Sequence, residues 1–238
     1  MSHLPIQYEG RDLEAMFAAP GYCSWILSQF ESYLGNTVAE IGAGSGNFSS
    51  QLITKVKGRL VAIEPSAQMF SLLERRFSGD SRVICEPHFF ADVAGKYRGT
   101  FDSIVYANVL EHVKDDLREL MDAHAGLKPG GYLCVFVPAL PFLFSEFDAS
   151  VGHHRRYTKE QLAALMHEAN FEVVKLRYFD IAGILPWFFF MKVLHWTLTP
   201  GRAGLYDRIV VPIVRWIESL IPPPIGKNLV IVGQKPMI

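Results

Sequence analysis

Residues 37–48 read Thr-Val-Ala-Glu-Ile-Gly-Ala-Gly-Ser-Gly-Asn-Phe, and few folds accommodate such a stretch. Val38, Ala39 and Ile41 form an apolar run short enough for a buried parallel strand. Gly42, Gly44 and Gly46 follow at alternate positions. Phe48, Leu52, Ile53 and Val56 then recur at helical spacing. Strand, glycine turn and helix begin a βαβ unit, in which glycine lets the backbone turn sharply and approach a ligand. The third glycine comes one position too early for the dinucleotide pattern G-x-G-x-x-G, and Asn47 stands in its place. Glu40 lies inside the strand, where a carboxylate is costly to bury without a donor or a positive charge. It is read either as salt-bridged to a neighbouring helix or as facing a cationic, ammonium-bearing ligand.

A second apolar run, Arg59-Leu-Val-Ala-Ile-Glu64, ends in an acid eighteen residues after Gly46. An acid there can accept hydrogen bonds from both hydroxyls of a ribose. Pro65 and Ser66 open the next helix, whose inner stripe is Met69, Leu72, Leu73 and Phe77. Further strands are expected at Val83–Cys85, Phe101–Asn108, Tyr132–Val137, Phe171–Tyr178 and Gly226–Lys235, with a turn at Lys128-Pro-Gly-Gly131.

Four blocks stand in fixed order: Glu-Ile-Gly-Ala-Gly-Ser-Gly, Ala-Ile-Glu-Pro-Ser, Phe-Asp-Ser-Ile-Val-Tyr-Ala-Asn-Val-Leu-Glu-His and Leu-Lys-Pro-Gly-Gly-Tyr-Leu. Together, over residues 37–137, they resemble the class I methyltransferases that use S-adenosylmethionine (SAM). The resemblance implies an α/β fold: a Rossmann-like, doubly wound, seven-stranded sheet with an antiparallel last strand. It implies SAM as cofactor and S-adenosylhomocysteine as product. Glu40, Gly42, Gly44, Gly46, Glu64, Pro65, Asp92, Asn108 and Val109 then become the cofactor-binding candidates. Asp92 takes the adenine amino group, with Glu86 as its competitor. Asn108 to His112 lie at the switch point of the sheet, flanking cofactor and acceptor. His112 is either a structural histidine tied to an acid or a group near the methyl carbon.

The order of elements divides the chain into an N-terminal helical cap (1–35), a SAM-binding core (36–180 with 226–238) and a helical insertion (181–225). In the cap, Leu13, Met16 and Phe17 form one apolar face. Tyr22, Trp25, Ile26, Phe30 and Tyr33 form another. The cap either covers the sheet edge or closes over SAM, bringing Tyr22 or Trp25 to the cofactor. The insertion separates two strands that a short hairpin normally joins. Its first half is apolar almost all round. In its second half, Arg208, Arg215 and Glu218 share one side, and Ile209, Ile213, Trp216 and Leu220 lie on another. A lid over the acceptor pocket is the favoured reading. A homodimer contact and a membrane-surface contact are its rivals.

Between the fifth and sixth strands runs Gly152-His-His-Arg-Arg-Tyr-Thr158. Thr158-Lys-Glu-Gln161 has the form of a capping box, so this polar cluster sits on a loop entering a helix. A loop held by a rigid sheet suits acceptor chemistry. The string resembles a subset of small bacterial class I enzymes, which makes His153, His154, Arg156 and Tyr157 the catalytic candidates. His153 is the first choice of base because an imidazole titrates near neutrality. Glu111 is a possible assistant, and Arg155 or Arg156 a possible grip on an acceptor's carboxylate or phosphate. The bland alternative is a solvated loop with one arginine paired to Asp148. No metal is expected, since the adjacent His153 and His154 rarely both face one ion and no cysteine or acid has ligand spacing.

The net charge of −1 over 238 residues gives no basic footprint for nucleic acid. Cys23, Cys85 and Cys134 lack paired or metal-ligand spacing and read as reduced thiols of a cytoplasmic protein. The N-terminal residues lack a basic start and apolar core of a signal peptide. The expected activity is methyl transfer from SAM to an oxygen or nitrogen of a small molecule, small peptide or sugar. A non-catalytic SAM-fold subunit that binds a partner, and a nicotinamide-dependent oxidoreductase, are the alternatives.

Overall fold

The computed structural model describes residues 19–196 and 199–237. The expected cap face of Leu13, Met16 and Phe17 lies outside them. Seven strands form one sheet in the order β3-β2-β1-β4-β5-β7-β6. They are β1 (Thr37–Ile41), β2 (Arg59–Ile63), β3 (Val83–Glu86), β4 (Phe101–Ala107), β5 (Leu127–Pro138), β6 (Glu172–Phe179) and β7 (Asn228–Gln234). The first five pair in parallel, and β7 lies antiparallel between β5 and β6. Residues of β1, β4 and β5 are buried on both faces, as apolar runs in a covered parallel sheet require. β5 begins five residues earlier than expected, because Leu127 pairs with Phe101 ahead of the glycine turn.

The helices that matter for the site begin with α1 (Pro20–Ser28), α2 (Asn47–Leu52), α3 (Ala67–Phe77), α4 (Phe90–Val93) and α5 (Asp116–Gly126). Then come α6 (Glu146–Ser150), α7 (Lys159–Glu168), α8 (Ile184–Pro186) and α9 (Pro200–Leu220). α8 runs on as a wider-turned stretch, Trp187–Val193. Ser66 caps α3, and Thr158 with Gln161 forms the expected box at the start of α7. Among the described residues, no helix is long and apolar enough to cross a membrane.

The insertion folds differently from the sequence pattern. α9 buries Ala203, Val211, Val214 and Glu218, while Ile209, Ile213, Trp216 and Leu220 are more than half exposed. Two acids set this rotation. Asp207 accepts from the backbone N–H groups of Gly21 (3.0 Å) and Tyr22 (2.6 Å), in the first turn of α1. Glu218 accepts from the N–H groups of Ile181 (2.9 Å) and Asp180 (3.3 Å) just beyond β6. Glu218 is therefore buried rather than on the solvent side with Arg208. A second tie is Asp180, which has a left-handed backbone (φ 62°). Its carboxylate accepts from the hydroxyls of Tyr22 and Tyr206 and pairs with Lys227 at 3.0 Å. Cap, insertion and last strand meet on this one acid.

Candidate functional site

The carboxyl ends of β1, β2, β4 and β5 open into a cleft of about 1060 Å³. The cofactor side is built at the β1 turn. Gly42 (φ 69°) and Ala43 donate to the Ile63 carbonyl, so the turn is stitched to β2. A Cβ on Gly42 would lie 2.5 Å from Val109, which is why this position takes glycine. Gly44 (φ 55°) lines the cleft, and its N–H donates to Glu64 at 2.8 Å. Gly46 turns away: a Cβ there would meet Phe77 and Leu73 of α3, so its role is packing rather than ligand approach.

Glu64 stands at the end of β2 and faces the cleft. Its second oxygen accepts from the Ser66 N–H at 2.8 Å. Burial raises its carboxyl above the ordinary value, against the two backbone donors, which lower it. Each oxygen keeps a lone pair for a further donor. Glu40 is 2 % exposed and lines the same cleft, and its Oε2 has no hydrogen-bond partner. Burial pushes its carboxyl up to about 8. An orphaned carboxyl oxygen on a cleft floor fits a ligand that brings its own donor or positive charge, and among the described residues Glu40 forms no salt bridge to a helix. Pro65, Asp92, Asn108 and Val109 also line the cleft. Asp92 is exposed on α4, whereas Glu86 is engaged by Lys96 and Tyr97 and does not line it. Asn108 has a left-handed backbone (φ 56°), which turns the chain from β4 onto the floor of the site. The chemistry of this lining fits SAM: an acid with free lone pairs suits a ribose, a buried acid with one unpartnered oxygen suits an ammonium, and a glycine turn leaves room for both.

The opposite end is built on Asp148. Ser145 caps α6, and both its N–H and its hydroxyl donate to Asp148 (2.8 and 2.7 Å). Asp148 in turn accepts from His153 Nδ1 at 2.9 Å and from Arg156 at 2.8–3.0 Å. Burial opposes the charge on this carboxyl, but His153, Arg156 and Ser145 outweigh it and hold Asp148 below its ordinary value. An ionised carboxylate only accepts, so Nδ1 of His153 carries a proton toward Asp148 and Nε2 is the ring nitrogen left for other partners. Nε2 lies 3.9 Å from Glu111. His112 stands edge-on to His153, ring centres 4.6 Å apart. Burial first, then the neighbouring His153, lowers His112 to about 3, so its imidazole is neutral.

The other expected catalytic residues fall elsewhere. His154 is exposed on the rim and donates its backbone N–H to the Glu111 carbonyl at 2.8 Å. Arg156 is 4 % exposed and bound to Asp148 and the Ala139 carbonyl, with Trp187 4.7 Å beneath its guanidinium. Arg155 pairs with Asp116 at 2.7 Å and donates to the Lys114 carbonyl. Both guanidinium groups thus hold the protein's own oxygens. Tyr157 is buried, its hydroxyl donating to Asp116 (2.8 Å), and it does not line the cleft. Burial and that acid raise its phenol well above its ordinary value. Tyr22 reaches the cleft, but Trp25 packs on Phe179 instead. Of the insertion, Trp187 alone among the described residues lines the cleft, and it packs on Phe147. Trp187 and Phe147 went unnoticed in the sequence. Asp148 was visible there only as an arginine partner, although Ser145-x-x-Asp148 is itself a cap pattern.

A family model described as "Methyltransferase domain" matches residues 15–176. A ubiquinone biosynthesis O-methyltransferase of Xanthomonas campestris is 27% identical over 173 residues, 64% of this chain and 68% of that protein. An uncharacterized 37.1 kDa protein in transposon TN4556 of Streptomyces fradiae is 27% identical over 66% of this chain, which is 49% of its own length. The match therefore spans about half of that relative. Among solved structures, a SAM-dependent methyltransferase from Thermotoga maritima superposes with a TM-score of 0.61 at 23% identity, covering 96% of this chain and 94% of that one. One from Mesorhizobium loti gives 0.62 at 14% identity over 91% and 98%. At these identities the superpositions speak for the fold.

Proposed function

Because this chain belongs to the methyltransferase domain family and is a SAM-dependent methyltransferase, we propose that it methylates a hydroxyl oxygen of an apolar small molecule. The family assignment removes the nicotinamide alternative. The observation that carries the choice of acceptor is the imidazole of His153, oriented by a buried carboxylate in the same cleft as Glu40 and Glu64. An amine or hydroxyl acceptor must lose a proton; Arg155 and Arg156, both engaged by the protein's own oxygens, favour a neutral one. Relatives named as O-methyltransferases support oxygen as the atom methylated. Phe147, Val151 and Trp187 supply an apolar wall beside His153, which supports an apolar acceptor body.

SAM supplies a methyl group already activated on a positive sulfur. The chain's task is alignment, water exclusion and proton handling. Glu64 holds the ribose hydroxyls, Glu40 the ammonium, and Gly44 the close approach of the backbone. The corner of Glu111, His112 and His153 is where the acceptor hydroxyl gives up its proton. Asp148 is a positioning residue: it fixes the tautomer and aim of His153, and Arg156 fixes Asp148.

The test is formation of S-adenosylhomocysteine from SAM across catechols, phenols, aliphatic alcohols and amines of matched size. Turnover confined to hydroxyl compounds is expected. Turnover confined to amines would refute the oxygen assignment.

A further inference from the structure

The corner between the turn after β4 and the loop after α6 holds three donors that nothing in methyl transfer as such requires together. One ligand atom each from Glu111, His112 and His153 lies within 4.8 Å of the others, at the acceptor end of the cleft. We propose that these three residues form a binding site for one first-row divalent cation, with its remaining positions open to the acceptor's oxygen. Two imidazoles and one carboxylate are a familiar donor set for such ions, and three protein ligands leave room for a substrate.

Three further features of the structure support this. First, the imidazoles are held from behind. Nδ1 of His153 is 2.9 Å from Asp148, and His112 is hydrogen-bonded to the Gly152 backbone, with its Nδ1 on that side. A metal-binding histidine characteristically gives its other ring nitrogen to a carboxylate or a backbone carbonyl. Second, the supporting carboxylate is itself fixed by Ser145 and Arg156, so Nε2 of His153 cannot swing freely. Third, the ligands come from two segments, the turn after β4 and the loop after α6, which are joined where His154 donates to the Glu111 carbonyl. Two features of the sequence spoke against a metal: the adjacent His153 and His154 rarely share one ion, and no cysteine or acid has ligand spacing. In the fold, His154 is on the rim, and Glu111 takes the third place.

The use of the cation rests on the reading of this cleft as a methyl-transfer site; its binding does not. An acceptor hydroxyl in the open position would be acidified and release its proton to solvent. The oxygen then forms its bond to the methyl carbon while the carbon–sulfur pair returns to sulfur, leaving a neutral thioether. In that state His153 Nε2 is a ligand and not a free base.

The experiment uses the full chain, stripped with a chelator and saturated with S-adenosylhomocysteine. Cobalt(II) is titrated in and its visible d–d absorption recorded. One equivalent with intense bands is expected. His112→Ala and His153→Ala should abolish the bands, Glu111→Gln should weaken binding strongly, and His154→Ala should leave it within a few-fold. Asp148→Asn, which keeps shape, should weaken binding by about 10- to 100-fold. S-adenosylhomocysteine binding reports whether each variant is folded. Sub-stoichiometric binding without d–d bands, or unchanged bands in folded His112→Ala and His153→Ala, would overturn the site. Bands that behave as expected in a protein inactive on every hydroxyl acceptor would uphold the site and sink only the acceptor assignment.

Discussion

Glu40 shows how one side chain can carry a binding site's charge. Its carboxyl is buried with one oxygen unpartnered, and burial lifts it from 4.5 to about 8. Between those values the folded chain keeps a proton that the unfolded chain has lost. Glu40 therefore makes the free energy of unfolding fall as pH rises from about 4.5 to 8. A cationic ligand reverses the preference and draws the proton off. SAM affinity should thus rise with pH toward 8, with proton release detected by calorimetry in buffers of different ionisation heat. Glu40→Gln should abolish that release. Binding without proton uptake or release at pH 7 would contradict the assignment. Glu64→Ala removes charged acceptors worth about 1.5–3 kcal/mol, so SAM affinity should drop by roughly one to two orders of magnitude with the fold intact. At the other end, His153→Ala should cut turnover by about 100- to 10,000-fold while SAM affinity stays within a few-fold; His154→Ala should cost far less. Equal losses in both would place the chemistry on the rim instead. His153 was legible in the sequence because it follows Gly152 on a loop after the fifth strand. The pairing of an arginine with Asp148 was legible as an alternative, and Arg156 makes it; the bond from Tyr157 to Asp116, 41 residues away, was not, because the two meet only in the fold.

At the level of elements, the strands were readable because each is an apolar run ended by glycine, proline or an acid. β1 and β2 match to within a residue. The face of α9 was not readable. Its sequence offers two apolar stripes, and the choice is made by Asp207 and Glu218, which cap other elements. Hydrophobic spacing alone cannot register a polar group that is buried because it satisfies distant N–H groups. Asp207 supplies α1 with the acceptor that Ala19 lacks at its N-cap. Asp207→Ala should lower stability by about 0.5–2 kcal/mol, measured by urea unfolding. It should also weaken SAM binding, because α1 carries Tyr22 into the cleft. A stability loss with unchanged SAM affinity would show that the cap does not shape the cofactor side.

For the whole molecule, the resemblance carried by four motif blocks in fixed succession implied the sheet, its antiparallel last strand and an insertion between β6 and β7. How the insertion is used was not implied. Among its described residues only Trp187 reaches the cleft, while α9 lies along α1. The two ends of the site come from widely separated stretches: the β1 turn and β2 on one side, the α6–α7 loop on the other. Their convergence on one cleft is the central claim. A crystal structure of the full chain with S-adenosylhomocysteine tests it most directly. The account predicts ribose hydroxyls on Glu64, the amino group at Glu40 and the thioether sulfur turned toward the corner of His112 and His153. A ligand bound with its sulfur facing away from that corner, or its ribose off Glu64, would contradict it.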